Sequence, residues 1–237
     1  MATVALLPTS ANAAPGDSQA SAFGLSASVL GGLVTVPPTP ARSCPPGTGG
    51  TTSTIGATLL GALGQVGVLT ATNACNGLGV SSATGQAANV ALTNVLPGLA
   101  AITADLVTAT CSADGTTNTG STSLVNAKLG TTVLDVSPAA NTVLLNVPGV
   151  LTVTLNEQTT TAGALTVNAI HIHFVLPVVG TVTDVIIGSA TCGPNVPVAA
   201  VDAFSYQNLP IILGGLGVVV LIGFGLRTGT RRLRGLA

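Results

Sequence analysis

Two histidines, His171 and His173, stand two residues apart and are the only ones in the chain. On a β-strand such a pair projects from one face. The spacing suits two imidazole ligands of one transition metal. A metal-dependent hydrolase of the cell envelope is the chemistry they could support. A third ligand would have to come from Glu157, a distant Asp or a Cys, and no spacing nominates one. The same two residues also form the polar face of a strand whose other face is Ile170, Ile172 and Phe174. That second reading is preferred, so no metal and no cofactor is expected, and His171 and His173 stay as candidates only.

Four cysteines follow: Cys44, Cys75, Cys111 and Cys192. A zinc site would want C-x₂₋₄-C spacing, whereas the shortest gap here is 31 residues. An even count in an exported chain implies disulfides, and four cysteines allow three pairings. The expected pairs are Cys44–Cys75 and Cys111–Cys192. The second rests on the likeness of the two segments that end at those cysteines, TADLVTATC and TDVIIGSATC, with TATNAC before Cys75 a weaker third copy.

Other catalytic patterns are missing. There is no G-x-S-x-G elbow, since Gly188-Ser189 lacks the following glycine. A two-carboxylate glycosidase needs an acid and a partner held in a cleft, and Glu157 is the only glutamate. Phosphate loops and dinucleotide fingerprints are absent. The chain is expected not to be an enzyme.

The elements that would position these residues are set by an unusual composition. Of 237 residues only 5% are charged and 2% aromatic, yet 47% are hydrophobic and 30 are Gly. An ordinary soluble domain carries about a quarter charged residues. Six Lys and Arg are too few to neutralise a phosphate backbone, so no nucleic-acid partner is expected. The surface must instead be solvated by Thr, Ser, Asn and Gly. That suits an extracellular or wall-facing protein.

The strand signal is strong from residue 90 onward. Leu151, Val153 and Leu155 alternate with Thr152, Thr154 and Asn156, which is the period of a half-buried strand. Val143, Leu145 and Val147 form a similar face, and Pro148-Gly149 is the turn between. Leu165, Val167 and Ala169 hold one face, and Ile170, Ile172 and Phe174 then take the other. That parity switch predicts a bulge or a crossing between sheets. Residues 113–123 and 156–163 are polar and small and read as loops that carry binding. The expected fold is all-β: an antiparallel β-sandwich-like ectodomain plus one C-terminal transmembrane helix.

Both ends look like addresses. Residues 1–13 (MATVALLPTSANA) pair an apolar stretch with an A-x-A triplet and read as a truncated signal-peptide remnant. Residues 14–50 are a Pro/Gly-rich N-terminal segment, 51–196 the β-rich core and 197–208 a linker. Residues 209–226 (LPIILGGLGVVVLIGFGL) are uncharged and as a helix would span about 27 Å, close to the bilayer core. Arg227, Arg231, Arg232 and Arg234 in residues 227–237 form a basic cytoplasmic stop. The ectodomain keeps Arg42 and Lys128 against seven acids. A single-pass membrane protein with its body outside is expected. Its role would be structural, adhesive or interaction, with a cell-envelope protein or polysaccharide as partner. A processed secreted protein is the other non-catalytic alternative.

Five stretches in order, SAFGLSASVLGGLVTVPPTPARSCPPG, ITADLVTATCSADG, LTVTLNEQ, LTVNAIHI and DVIIGSATC, resemble the choice-of-anchor P family over residues 20–193. The resemblance implies an exported actinobacterial surface protein: a β-rich envelope domain with variable C-terminal anchors and no established activity. It also implies structural roles for Glu157, in a recurring N-E-Q segment, and for His171. Residues 209–213 start like a sortase motif but lack its Thr-Gly, so simple membrane retention is the expectation.

Overall fold

The computed structural model describes residues 18–29, 34–44, 49–56, 64–76, 79–93, 100–176 and 181–194. The signal remnant, the linker, residues 209–226 and the four terminal arginines lie outside the described residues. Among the described residues there is no helix long and apolar enough to cross a membrane.

All described regular structure is β. The strands are β1 (Gln19–Val29), β2 (Val34–Cys44), β3 (Gly50–Ile55), β4 (Gly64–Gln65), β5 (Val68–Cys75), β6 (Val80–Leu92) and β7 (Ile102–Asp114). They continue with β8 (Asn118–Val125), β9 (Lys128–Leu129), β10 (Thr132–Val133), β11 (Thr142–Val147), β12 (Leu151–Thr161), β13 (Ala164–Leu176) and β14 (Thr181–Gly193). Every pairing is antiparallel. One sheet runs β11-β12-β13-β14-β1-β2; the other runs β10-β9-β7-β6-β5-β3, with β4 on β6 and β8 on β7. The two pack face to face as a sandwich. β1 and β2, inside the Pro/Gly-rich stretch 14–50, are thus strands of the six-stranded sheet. β2 lies at its edge, where Pro37, Pro38 and Pro40 cost no ladder bonds that a central strand would need.

The sandwich interior is built from small residues. Ala20, Ala22, Ala71, Ala87, Ala109 and Ala190 are buried beside Leu25, Leu69, Leu124, Ile170 and Ile187. With few large side chains between them, the two backbones come close. A Cβ on Gly85 of β6 would collide with the carbonyl oxygens of Phe23 and Ser189, and would lie 2.7 Å from the Ser189 nitrogen. Only Gly fits there, because backbone cannot rotate aside as a side chain can.

The parity switch is real and its cause is not a bulge. On either side of Ala169 the β13–β14 register is unshifted, Asn168↔Ser189 and Ile170↔Ile187. The pairing lapses at one transverse row, Gly24, Gly188, Ala169 and Asn156, across four strands. Gly188 and Asn156 have positive φ, 67° and 49°. The pleat inverts there, so Ala169 and Ile170 are both buried, as are Leu155 and Asn156. Asn156 tolerates this conformation better than most residues, and its amide is used: it donates to Pro138 O (2.8 Å) and accepts from Thr122 Oγ1 (3.2 Å).

Three local expectations change. Val143 and Val147 are exposed, and Leu144 packs inward beside Leu145, because the β11–β12 register shifts between Val143 and Leu145. Residues 113–123 and 156–163 are hairpins rather than long loops. The first turns through Gly115, with Asp114 Oδ1 accepting from the Thr116 and Thr117 nitrogens (2.8 and 2.7 Å). Those two amides, the Thr117 one foremost, and both hydroxyls hold the Asp114 carboxyl far below the usual carboxylate range.

Both disulfides join one sheet to the other. Cys44 of β2 is bonded to Cys75 of β5, and Cys111 of β7 to Cys192 of β14, with Cα separations of 6.2 and 5.6 Å. The similar segments before Cys111 and Cys192 are therefore facing strands, one from each layer.

Candidate functional site

The inverted pleat decides what stands on the outer face of the six-stranded sheet. Glu157, Asn168 and Ser189 form one cross-strand row over β12, β13 and β14. His171 sits in the next outward row of β13, and His173 one row further, directly opposite Asp184 of β14. His171 is thereby flanked diagonally by an acid on each neighbouring strand.

The contacts are short. His171 Nδ1 lies 2.8 Å from Glu157 Oε2, and Nε2 lies 2.6 Å from Asp184 Oδ1. Asn168 Nδ2 donates to the same Glu157 oxygen at 2.8 Å, and Ser189 Oγ donates to Asn168 Oδ1 at 2.8 Å. The chain of bonds therefore runs from buried Ser189, against the Gly85 backbone, to the half-exposed Asp184 (44%).

The electrostatics follow from that placement. Burial opposes a charge on His171, but the hydrogen bonds to Asp184 and Glu157, together with both negative charges, outweigh it. The imidazolium pKa is raised from 6.5 to about 9. The bond from His171 lowers the Glu157 carboxyl, against the opposing effect of burial, and Asn168 lowers it further. Asp184 is lowered for the same first reason, with His173 adding its charge. At neutral pH His171 is therefore a doubly protonated cation clasped between two carboxylates.

The same patch could hold a metal. Ligand atoms of His171, His173 and Asp184 all lie within 4.8 Å of one another, and the two imidazole centroids are 6.1 Å apart. Asp184 was beyond reach of the sequence, because its place opposite His173 depends on the β13–β14 register. Its strand-like setting in TDVIIGSATC was visible; its partner was not. Elsewhere, an open depression of about 530 Å³ lies beside Asp105, Asn126 and Lys128. There the Asn126 amide already satisfies the Asp105 carboxylate (2.6 Å).

No protein-family model, curated protein or solved structure matches this chain.

Proposed function

We propose that this chain is an exported cell-surface protein of the bacterial envelope, held by residues 209–226 and acting through interaction or structure rather than catalysis. The observation that carries this reading is the pair of disulfides, each tying one sheet to the other. Such bonds persist in oxidising compartments and are rare in the cytosol. The charge-poor, hydroxyl-rich exterior and the likeness to the choice-of-anchor P family point the same way. The partner would be an envelope protein or polysaccharide that accepts many weak hydrogen bonds, since the chain has few charges and few aromatic platforms to offer.

Fractionation with thiol labelling tests this. The expected result is an intact species in the membrane fraction, digested by protease added to whole cells, with no thiol labelled before reduction. An intact species in the culture supernatant would contradict the tether, and a shortened one lacking residues 209–226 there would favour the processed form. Labelled thiols at Cys111 and Cys192 in native cells would contradict export.

A further inference from the structure

We propose that His171, His173 and Asp184 bind one divalent transition-metal ion of the zinc class, with Glu157 as the carboxylate that orients His171. This goes beyond the surface role above and does not depend on it.

The distribution of residues carries the argument. The chain has two histidines and seven acids among 237 residues. Both histidines and two of the acids meet on three adjacent strands. A clasped imidazolium explains Glu157, His171, Asn168 and Asp184. It does not call for His173, which stands in direct register with Asp184.

The donor set fits the ion. Two imidazoles and a carboxylate, with a position left open, are ligands that zinc and its neighbours accept. Metal–ligand bonds of ~2.0–2.2 Å at a tetrahedral angle place donor atoms ~3.4 Å apart, so the His171–Asp184 contact of 2.6 Å must open slightly while His173 draws in from a spread of up to 4.8 Å. His173 is exposed, so its side chain is free to make most of that movement.

The surrounding shell fits as well. A ligating imidazole commonly gives its second N–H to a carboxylate, which fixes the tautomer. His171 already does so: Nδ1 faces Glu157, which Asn168 and Ser189 hold in turn. Nε2 faces Asp184, where the ion would enter. On binding, one proton leaves Nε2 for solvent and the metal takes its place between ring and carboxylate. The charge then balances. One divalent cation meets the carboxylates of Asp184 and Glu157, with both coordinating imidazoles neutral.

The test is titration of the untagged, chelator-stripped full chain with ZnCl₂, followed by competition with a chromophoric chelator, and with CoCl₂ followed by visible absorption. The expected result is one ion per chain and cobalt ligand-field bands of a nitrogen and oxygen site. His173→Ala, at an exposed position, should weaken binding at least tenfold and alter the cobalt spectrum while leaving the thermal midpoint of the metal-free protein in place. Glu157→Gln should weaken binding by ~10- to 100-fold, the range for carboxylates behind a ligating histidine. Failure to take up one ion per chain at ~100 µM zinc would overturn the proposal, since a competent structural or catalytic site binds far more tightly. So would uptake that His173→Ala leaves unchanged.

Discussion

The two outer faces of the sandwich solve the same problem in opposite ways. Over β12–β14 the six-stranded sheet concentrates ionisable groups into one cluster: Glu157 and Asp184 bonded to His171, with His173 in register opposite Asp184. Over β3, β5, β6, β7 and β8 the eight-stranded sheet presents neutral hydroxyls, with one amide among them, in cross-strand rows. One row runs Thr51, Thr72, Thr84, Thr110, Ser121; the next runs Ser53, Thr70, Gln86, Thr108, Ser123. Neighbours bond directly, as Thr51 does to Thr72 (3.0 Å) and Thr110 to Ser121 (2.8 Å). In the hydroxyl rows every group is cheap to solvate and no single one is needed. In the cluster each group depends on the others, because partly buried charges without partners are costly. A chain with so few charges has placed several of them where each is another's partner.

That contrast depends on the joint beneath both faces. Gly85 brings the β6 backbone against Phe23 and Ser189, and Ser189 is the buried end of the cluster. Gly85→Ala should be the most damaging single change. Overpacking costs ~1–3 kcal/mol where side chains can adjust, and here the obstacles are backbone atoms. We expect a loss of about 3 kcal/mol or more by chemical denaturation, together with a broadened His171 imidazole signal by NMR. A stability within 1 kcal/mol of the parent would show that the sheets can part locally, and that the cluster is not anchored through Ser189.

Next in size is His171→Ala. It strands the Glu157 and Asp184 carboxylates. Breaking a buried pair costs ~3–5 kcal/mol. With Asp184 half exposed, about 2–3 kcal/mol is expected here. Glu157→Gln in the same background should recover part of the loss by removing one uncompensated charge. If the double variant is no more stable than His171→Ala, the clasp is not electrostatic.

The pH dependence has a definite sign in chelator-treated protein. The folded His171 pKa is raised, so its contribution is complete below the unfolded value near 6.5 and disappears as pH climbs through about 9. At ~1.4 kcal/mol per unit of displacement, the loss is on the order of 3 kcal/mol. Glu157 and Asp184 are displaced downward, so their contributions hold above their unfolded values and fail as pH falls through the lower folded ones. Stability should therefore be greatest between about pH 5 and 6.5. An urea midpoint that stays flat from pH 6 to pH 9.5 would show that the imidazolium is not clasped.

The sandwich itself was legible in the sequence, because alternation and β-branched runs report which residues face a core. The switch at Ala169 was legible too, since one inward residue followed another. What produces it was not. The positive φ of Asn156 and Gly188 lies in a row across four strands, and a row needs a register, which one strand's pattern does not contain. The site divides the same way. His171 and His173 declare a shared face by spacing alone, while Asp184 joins them through pairing 13 residues downstream of His171. The disulfide pairs were reachable because the segments before Cys111 and Cys192 are alike. Their likeness turns out to belong to strands from opposite layers.

The smallest expected effect probes the hydroxyl face. Thr110→Val swaps a hydroxyl for a methyl at nearly constant volume. It removes the bonds from Thr110 Oγ1 to Ser121 O and Oγ, 3.2 and 2.8 Å. A typical hydrogen bond is worth ~0.5–1.5 kcal/mol net, and its loss costs ~1–3 kcal/mol when it strands a buried partner. Ser121 is exposed, so water replaces what Thr110 gave. Valine also suits a strand as well as threonine does. The two effects offset, and a change within about 0.5 kcal/mol is expected from the denaturation midpoint. The result matters because of its contrast with His171→Ala, at a comparable depth on the other face. A loss above 1 kcal/mol at Thr110 would mean that the hydroxyl rows act as a coupled network. The two faces would then differ in charge but not in cooperativity.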